Sequence, residues 1–320
     1  LYAHNLATLT ALPKECYEQI IADLTDAEQY APDNDNSDRT KMTKTVAQAM
    51  LAKVYAEKEV QDYDKVIAYA DKVMNTTGVE LEDSYETLWG YDETAKDCMK
   101  RNTKEGILEV HWTTGSGNWE TWMYGRQLDN WDYYFTWAKW ITPSRDIIND
   151  FDKEGDEVRK NQAIVYYACT WSNYYPASNY PFMYKLRSSY NNIYWVRLAD
   201  IILMKAEAEA YKGNLAESAK LVNQIRKRAK LKELTSDKTG SKEAMIEAVL
   251  HERRLELAFE GERWFDLCRN NKVEKYLNGI DNRDSGRIRQ VRQFDGNSYL
   301  LPIPQTALDQ NTNLEQNPGY

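Results

Sequence analysis

Side chains that together suit a sugar are concentrated in one stretch of this chain. Between positions 112 and 140 lie Trp112, Trp119, Trp122, Trp131, Trp137 and Trp140, out of 10 tryptophans in all. Tyr124, Tyr133 and Tyr134 stand among them, interleaved with Asn118, Arg126, Gln127, Asp129, Asn130 and Asp132. A pyranose offers a face of C–H bonds and an edge of hydroxyls. A flat indole or phenol stacks on the face at low entropic cost, and amide, carboxylate or guanidinium groups bond the edge. Gly115, Gly117 and Gly125 give the backbone freedom to turn. A second aromatic group follows at Trp171, Tyr174, Tyr175 and Tyr180. Any single ring is more simply read as packing under a loop. So many large rings rarely all bury in one loop, which predicts at least one exposed platform.

Other chemistry finds less support. His251-Glu252 opens like a zinc-protease motif, but Leu255 stands where the second histidine belongs, and only His4 and His111 remain elsewhere. Glu252, Glu256, Glu260 and Asp266 suggest a glycosidase pair. However, Glu256 lies between Val249 and Phe259 on one apolar stripe, and Arg253 between Leu250 and Leu257 on another. Charges inside apolar stripes pair with each other, so a structural role is expected ahead of catalysis. Phosphate-binding glycine loops and a nucleophile elbow are absent from the sequence. The acidic run at 33–38 partly imitates a calcium loop, but Asp38 replaces the turn glycine and Lys44 the closing glutamate, so a solvated loop is expected. No cofactor is called for.

At 320 residues the chain is long enough for a large core. Its net charge of -9 argues against nucleic acid as partner. Cys16, Cys98, Cys169 and Cys268 are far apart in sequence and are expected as separate buried thiols. No apolar run is long enough for a transmembrane helix. The chain opens on Leu1 in text that reads as mid-protein, so a trimmed N-terminus is expected.

The elements that must position these residues are helical. Residues 13–30 show helical spacing at Tyr17, Ile20, Ile21, Leu24 and Ala27, with Pro13 near the start. Residues 43–76 read as a helix pair, with Ala47, Met50, Leu51 and Val54 on one stripe and Tyr63, Val66, Ile67, Ala70 and Val73 on the other. A second pair spans 196–229, with Gly213 as stop and Asn214 as the next cap. The spacing from Ala206 to Leu215 is that of a tetratricopeptide repeat. Helices at 13–30 and 242–260 are expected to cover the outer faces of the pairs. Ser144 is the expected cap of a helix starting near Arg145. Residues 78–195 read as a long irregular insertion with short strands such as 107–110, functional rather than disordered given its aromatic content.

Three further pieces follow in order: the run from Trp195-Val196-Arg197-Leu198-Ala199-Asp200 to Ala210, the run from Glu252-Arg253-Arg254-Leu255-Glu256 through Gly261-Glu262-Arg263-Trp264-Phe265-Asp266 to Leu267, and a close on Leu301-Pro302-Ile303-Pro304-Gln305 and Gln316-Asn317-Pro318-Gly319-Tyr320. Together they resemble the SusD/RagB family. Thr142-Pro143-Ser144-Arg145-Asp146, with Phe151 and Asp156, and Tyr184-Lys185-Leu186-Arg187 also fit. The resemblance implies a mainly α fold, with tetratricopeptide-like helix pairs as scaffold and a long aromatic-rich irregular insertion. It implies one body over 1–320, with helical parts at 13–77 and 196–270, a loop-rich ligand-binding insertion at 78–195 and an extended C-terminal segment at 271–320. It further implies a non-enzymatic surface lipoprotein of the outer membrane that captures oligo- or polysaccharide for a SusC-like TonB-dependent transporter. The lipid anchor, an early helix pair and some ligand contacts would lie upstream of this chain. The competing reading is a tetratricopeptide-type scaffold for proteins. The aromatic run occupies the family's variable ligand-facing segment. From that location and its chemistry, the expected glycan contacts are Trp119, Trp122, Tyr124, Arg126, Asp129, Asn130, Trp131, Tyr133, Tyr134 and Trp137.

Overall fold

The computed structural model describes residues 13–95, 97–112, 119–125, 141–170, 172, 174–188, 190–284 and 292–320, excluding the side chains of Trp119 and Trp122. Helix α1 (Pro13–Tyr30) lays Ile21 and Leu24 against Leu51, Ala52 and Tyr69 of the first pair. That pair is α2 (Lys44–Ala56), capped by Thr43, and α3 (Tyr63–Met74), capped by Asp62. Alanines at 47, 49, 52 and 56 let α2 approach its neighbours closely, and all are buried.

The 33–38 loop is solvated as expected, with each residue exposed or half-buried, and it has a structural task besides. It wraps the guanidinium of Arg39, which is 2% exposed. Arg39 donates to Asn34 Oδ1 at 2.5 Å, Asn36 Oδ1 at 2.9 Å and the Gly78 carbonyl at 2.7 Å. A burial site for a charge demands such partners. The acidic groups turn outward: Asp33 pairs with Lys44, while Asp35 and Asp38 share Lys41.

Beyond the first pair come α4 (Tyr85–Trp89), β1 (Tyr91–Asp92), β2 (Asp97–Cys98), β3 (Gly106–Val110) and α5 (Trp119–Tyr124). Next are α6 (Arg145–Glu154), with Ser144 capping it as expected, α7 (Glu157–Ala163), β4 (Ile164–Tyr167), β5 (Tyr180–Met183) and β6 (Ile193–Arg197). The expected strand at 107–110 is β3, antiparallel to β6 with Gly106 opposite Arg197. Ile107, Leu108 and Val196 join the same core as α2 and α3, so both ends of this region are built into the scaffold. Tyr180 and Phe182 of β5 are buried, and the Tyr175 hydroxyl donates to the Pro143 carbonyl at 2.6 Å. For those rings packing prevails.

The second pair is α8 (Leu198–Lys212) and α9 (Leu215–Arg228). Gly213, at φ +84°, ends α8. Asn214 precedes α9 without a capping bond, because its amide donates to Glu209 instead. Every residue of α8 from Leu198 to Ala210 is buried, which makes it the central helix. Three of its buried charges are paired, Asp200 with Arg253 and Lys53, Lys205 with Asp71, and Glu207 with Arg269, while Glu209 accepts from the Asn214 amide.

The chain continues through α10 (Ser236–Thr239), α11 (Lys242–Glu256), α12 (Arg263–Arg269), α13 (Val273–Leu277), α14 (Ile280–Arg283) and α15 (Gln305–Gln310). Helix α11 packs across α8 and α9, adding Met245, Val249 and Leu250 to the core. Residues 271–320, expected to be extended, carry three short helices. The expected mainly α architecture with tetratricopeptide-like pairs is the one observed. Among the described residues no helix is long and apolar enough to cross a membrane. None of the four cysteines is joined in a disulfide, but only Cys169 is buried and Cys16 is exposed, which corrects the expectation of four buried ones.

Candidate functional site

A buried ionic cluster holds the centre of the molecule and fixes the surface next to it. Arg197 at the end of β6 donates to Glu105 at 2.8 Å, Glu256 at 2.7 Å and Glu260 at 2.6 Å. Arg159 reaches Asp156 at 2.5 Å, Glu252 at 2.7 Å and Glu256 at 3.1 Å, and Arg228 bonds Glu105 and Glu256. Lys185 bonds Glu260 at 2.5 Å and the Glu256 carbonyl at 3.1 Å. Burial pushes the Glu256 carboxyl up, yet Arg228, Arg197 and Arg159 outweigh it and hold the group well below the usual carboxylate range. Glu260 is lowered by the same contest between burial and its partners Arg197 and Lys185. Asp266 is held down against burial by Arg253 and Arg269. The four carboxylates that suggested a glycosidase thus serve as fixed anions in ion pairs, as the apolar-stripe argument expected.

These anchors orient their sequence neighbours. In β6 the buried Tyr194 and Val196 alternate with Trp195, which stands 63% exposed. After α11 the chain turns through Phe259 at φ +67° and Gly261 at φ +90°. A phenylalanine in this region is strained. Glu260, locked to Arg197 and Lys185, is the residue that enforces the turn. Glu262 is held by Lys53 at 2.9 Å. Asp266 and Arg269 then pin α12 to Arg253 and Glu207, leaving Phe265 57% exposed.

Helix α5 closes the other side. Thr121 Oγ1 donates to the Ser188 carbonyl at 2.8 Å, and Gly125 bridges to Met183. A Cβ at Gly125 would lie 1.9 Å from the Leu186 carbonyl oxygen, so only glycine allows this approach. The docking brings Glu120 and Tyr124 opposite β6 and the 259–262 turn.

Between these walls lies a cleft of about 430 Å³, lined by Glu120, Tyr124, Trp195, Phe259, Glu262 and Phe265 among others, with Trp89, Lys185 and Tyr194 also contributing. This size lies within the usual ~300–1,000 Å³ of small-molecule sites. Trp89 is 6% exposed, and its indole Nε1 has no hydrogen-bond partner. An orphaned buried donor costs ~1–3 kcal/mol, and Arg39, Trp112, Arg159 and Arg228 each hold one as well. Lys185 stands 4.8 Å from the Trp89 ring centroid, and burial pushes its ammonium down to about 8. Glu120 is exposed and makes no ion pair among the described residues, and desolvation by its surroundings raises its carboxyl above the ordinary value.

Of the expected contacts, Tyr124 lines this cleft, and Trp119 and Trp122 belong to α5, one wall of it. Arg126, Asp129, Asn130, Trp131, Tyr133, Tyr134 and Trp137 lie outside the described residues. Sequence reasoning missed Trp195, Phe265, Glu120 and Trp89. For Trp195 a signal existed: if Tyr194 and Val196 face the core of a strand, the tryptophan between them faces out.

The SusD family model matches residues 104–320. SusD-like protein P2 of Formosa agariphila is 28% identical, over 99% of this chain and 68% of that protein. Among solved structures, a SusD homologue from Bacteroides thetaiotaomicron superposes with a TM-score of 0.76 at 21% identity, covering 97% of this chain and 71% of that one. A laminarin-binding SusD-like protein gives 0.71 at 24% identity, covering 97% and 70%.

Proposed function

Because the chain belongs to the SusD family, we propose that it captures oligo- or polysaccharide at the cell surface and passes it to a SusC-like TonB-dependent transporter. It would do so as a lipoprotein of the outer membrane, binding without turnover. The observation that carries this reading is the cleft beside α5, where Trp195 and Phe265 hold large apolar faces in solvent. Such surface is retained where a ligand covers it. Rings of this kind stack on sugar C–H faces, and the carboxylate, phenol and amide groups around them accept and donate to hydroxyls. The tryptophan-rich run continues directly from α5, so the expected contacts there would extend the same site.

A protein-binding scaffold would use a concave helical groove. The central helix α8 is buried on every side and leaves no such face open, which favours the glycan reading. The test is affinity electrophoresis of the protein through gels carrying plant, microbial and algal polysaccharides. Laminarin comes first, given what the solved relative binds. Retardation by at least one neutral polysaccharide is expected; migration unaffected by all of them, together with capture of peptides, would overturn the reading.

A further inference from the structure

The charges around the cleft are not equivalent. Glu260 is consumed by Arg197 and Lys185, and Glu262 by Lys53. Lys185, the lining cation among the described residues, is itself neutralised by Glu260 and buried beneath the surface. Among the described residues Glu120 is the lining carboxylate without an ion-pair partner, and it stands exposed on the cleft wall. The same cleft carries the exposed rings of Trp195 and Phe265, the apolar faces on which a sugar ring stacks.

We infer that this cleft is a subsite for an uncharged pyranoside, with Glu120 accepting from a sugar hydroxyl and excluding uronate and sulfated residues. The inference rests on the glycan-capture reading and assigns the substrate class of that site. The chemistry is direct. A carboxylate is the strongest hydroxyl acceptor a protein has, and an unpaired one accepts two such bonds. The same group repels an anionic sugar, for which the described lining of the cleft offers no free cation in return. A sugar carboxylate within roughly 7 Å of Glu120 at the protein surface would bind about five- to tenfold more weakly than the matched alcohol. The penalty shrinks as salt screens it.

The experiment compares one neutral polysaccharide retained in the gel panel with the same polysaccharide after oxidation of its C6 hydroxymethyl groups to carboxylates. Wild-type protein and Glu120→Gln are measured against both at low and high salt. Glu120 is exposed, so the substitution leaves the fold intact, as an unchanged melting temperature will show. The expected result is weaker wild-type binding of the oxidised chain, with the gap closing at least threefold in Glu120→Gln and also in high salt. Equal or tighter wild-type binding of the oxidised chain overturns the inference, as does a gap that Glu120→Gln leaves unchanged. Retention of no polysaccharide at all removes the glycan reading itself, and this inference falls with it.

Discussion

Replacing Glu256 by glutamine isolates what the buried ionic cluster contributes. Its carboxylate accepts from Arg197 at 2.7 Å, from Arg159 at 3.1 Å and from Arg228, with its side chain fully buried. Around it Arg159, Arg197, Arg226, Arg228 and Lys185 face the buried Glu105, Asp156, Glu252, Glu256 and Glu260, with the partly exposed Glu154 sharing Arg226 at the rim. Glutamine keeps the shape but removes the charge, and its NH₂ replaces an acceptor with a donor that faces a guanidinium. The cluster is left with an uncompensated buried cation. Breaking a buried pair in this way costs ~3–5 kcal/mol, against ~0–1 kcal/mol for a surface pair. Out of a total stability of ~5–15 kcal/mol this is a large fraction. Urea unfolding followed by tryptophan fluorescence reads the change as a fall in midpoint at constant slope. A loss below about 1 kcal/mol would refute the reasoning, because it would mean that the cluster is solvated or that its charges are not mutually dependent.

Other perturbations follow from the same structure. Gly125→Ala pushes a methyl against the Leu186 carbonyl and should dislodge α5; it should weaken glycan binding more than tenfold while lowering the melting temperature by only a few degrees, and unchanged binding would count against α5 as a wall of the site. Glu154, held at about 2 first by its hydrogen bond to His251 and then by Arg226, lies below the ordinary carboxylate value of 4.5. A depressed carboxylate contributes stability that is complete above 4.5 and lost as pH falls toward about 2, so Glu154→Gln should flatten the acid limb of the stability–pH curve; an unaltered limb contradicts this. Lys185 is lowered from 10.5 to about 8 chiefly by burial, so between those values the unfolded chain binds more protons and this group adds stability as pH rises. Urea midpoints at pH 8 and pH 10 should therefore rise more, or fall less, in the wild type than in Lys185→Met; the reverse order would show that the lysine is not desolvated.

Much of the scaffold was legible because local rules and global packing agree. Pro13 and Gly213 mark helix ends through backbone geometry and Ser144 through its side-chain cap, and the apolar stripes of α2, α3 and α9 follow helical period. The ion pairing of Glu256 and Arg253 was legible because a charge inside an apolar stripe has few alternatives. The Arg39-centred loop was not, since its partners Asn34, Asn36 and Gly78 come together only when a remote turn closes over them. Nor was the cleft. Trp195 belongs to a motif that reads as scaffold, and its exposure depends on the pairing of β6 with β3 across a long gap in sequence. Phe265 and Glu120 meet it only through the turn at Phe259 and the docking at Gly125, neither of which leaves a pattern along the chain.

The most direct test of glycan capture at this cleft is titration calorimetry of wild type and Trp195→Ala with an oligosaccharide cut from the retained polysaccharide. Trp195 is 63% exposed, so its loss should leave the melting temperature unchanged while removing a stacking surface worth about 2 kcal/mol, roughly thirtyfold in affinity. Full affinity in Trp195→Ala, at an unchanged melting temperature, would place the binding site elsewhere and contradict the account.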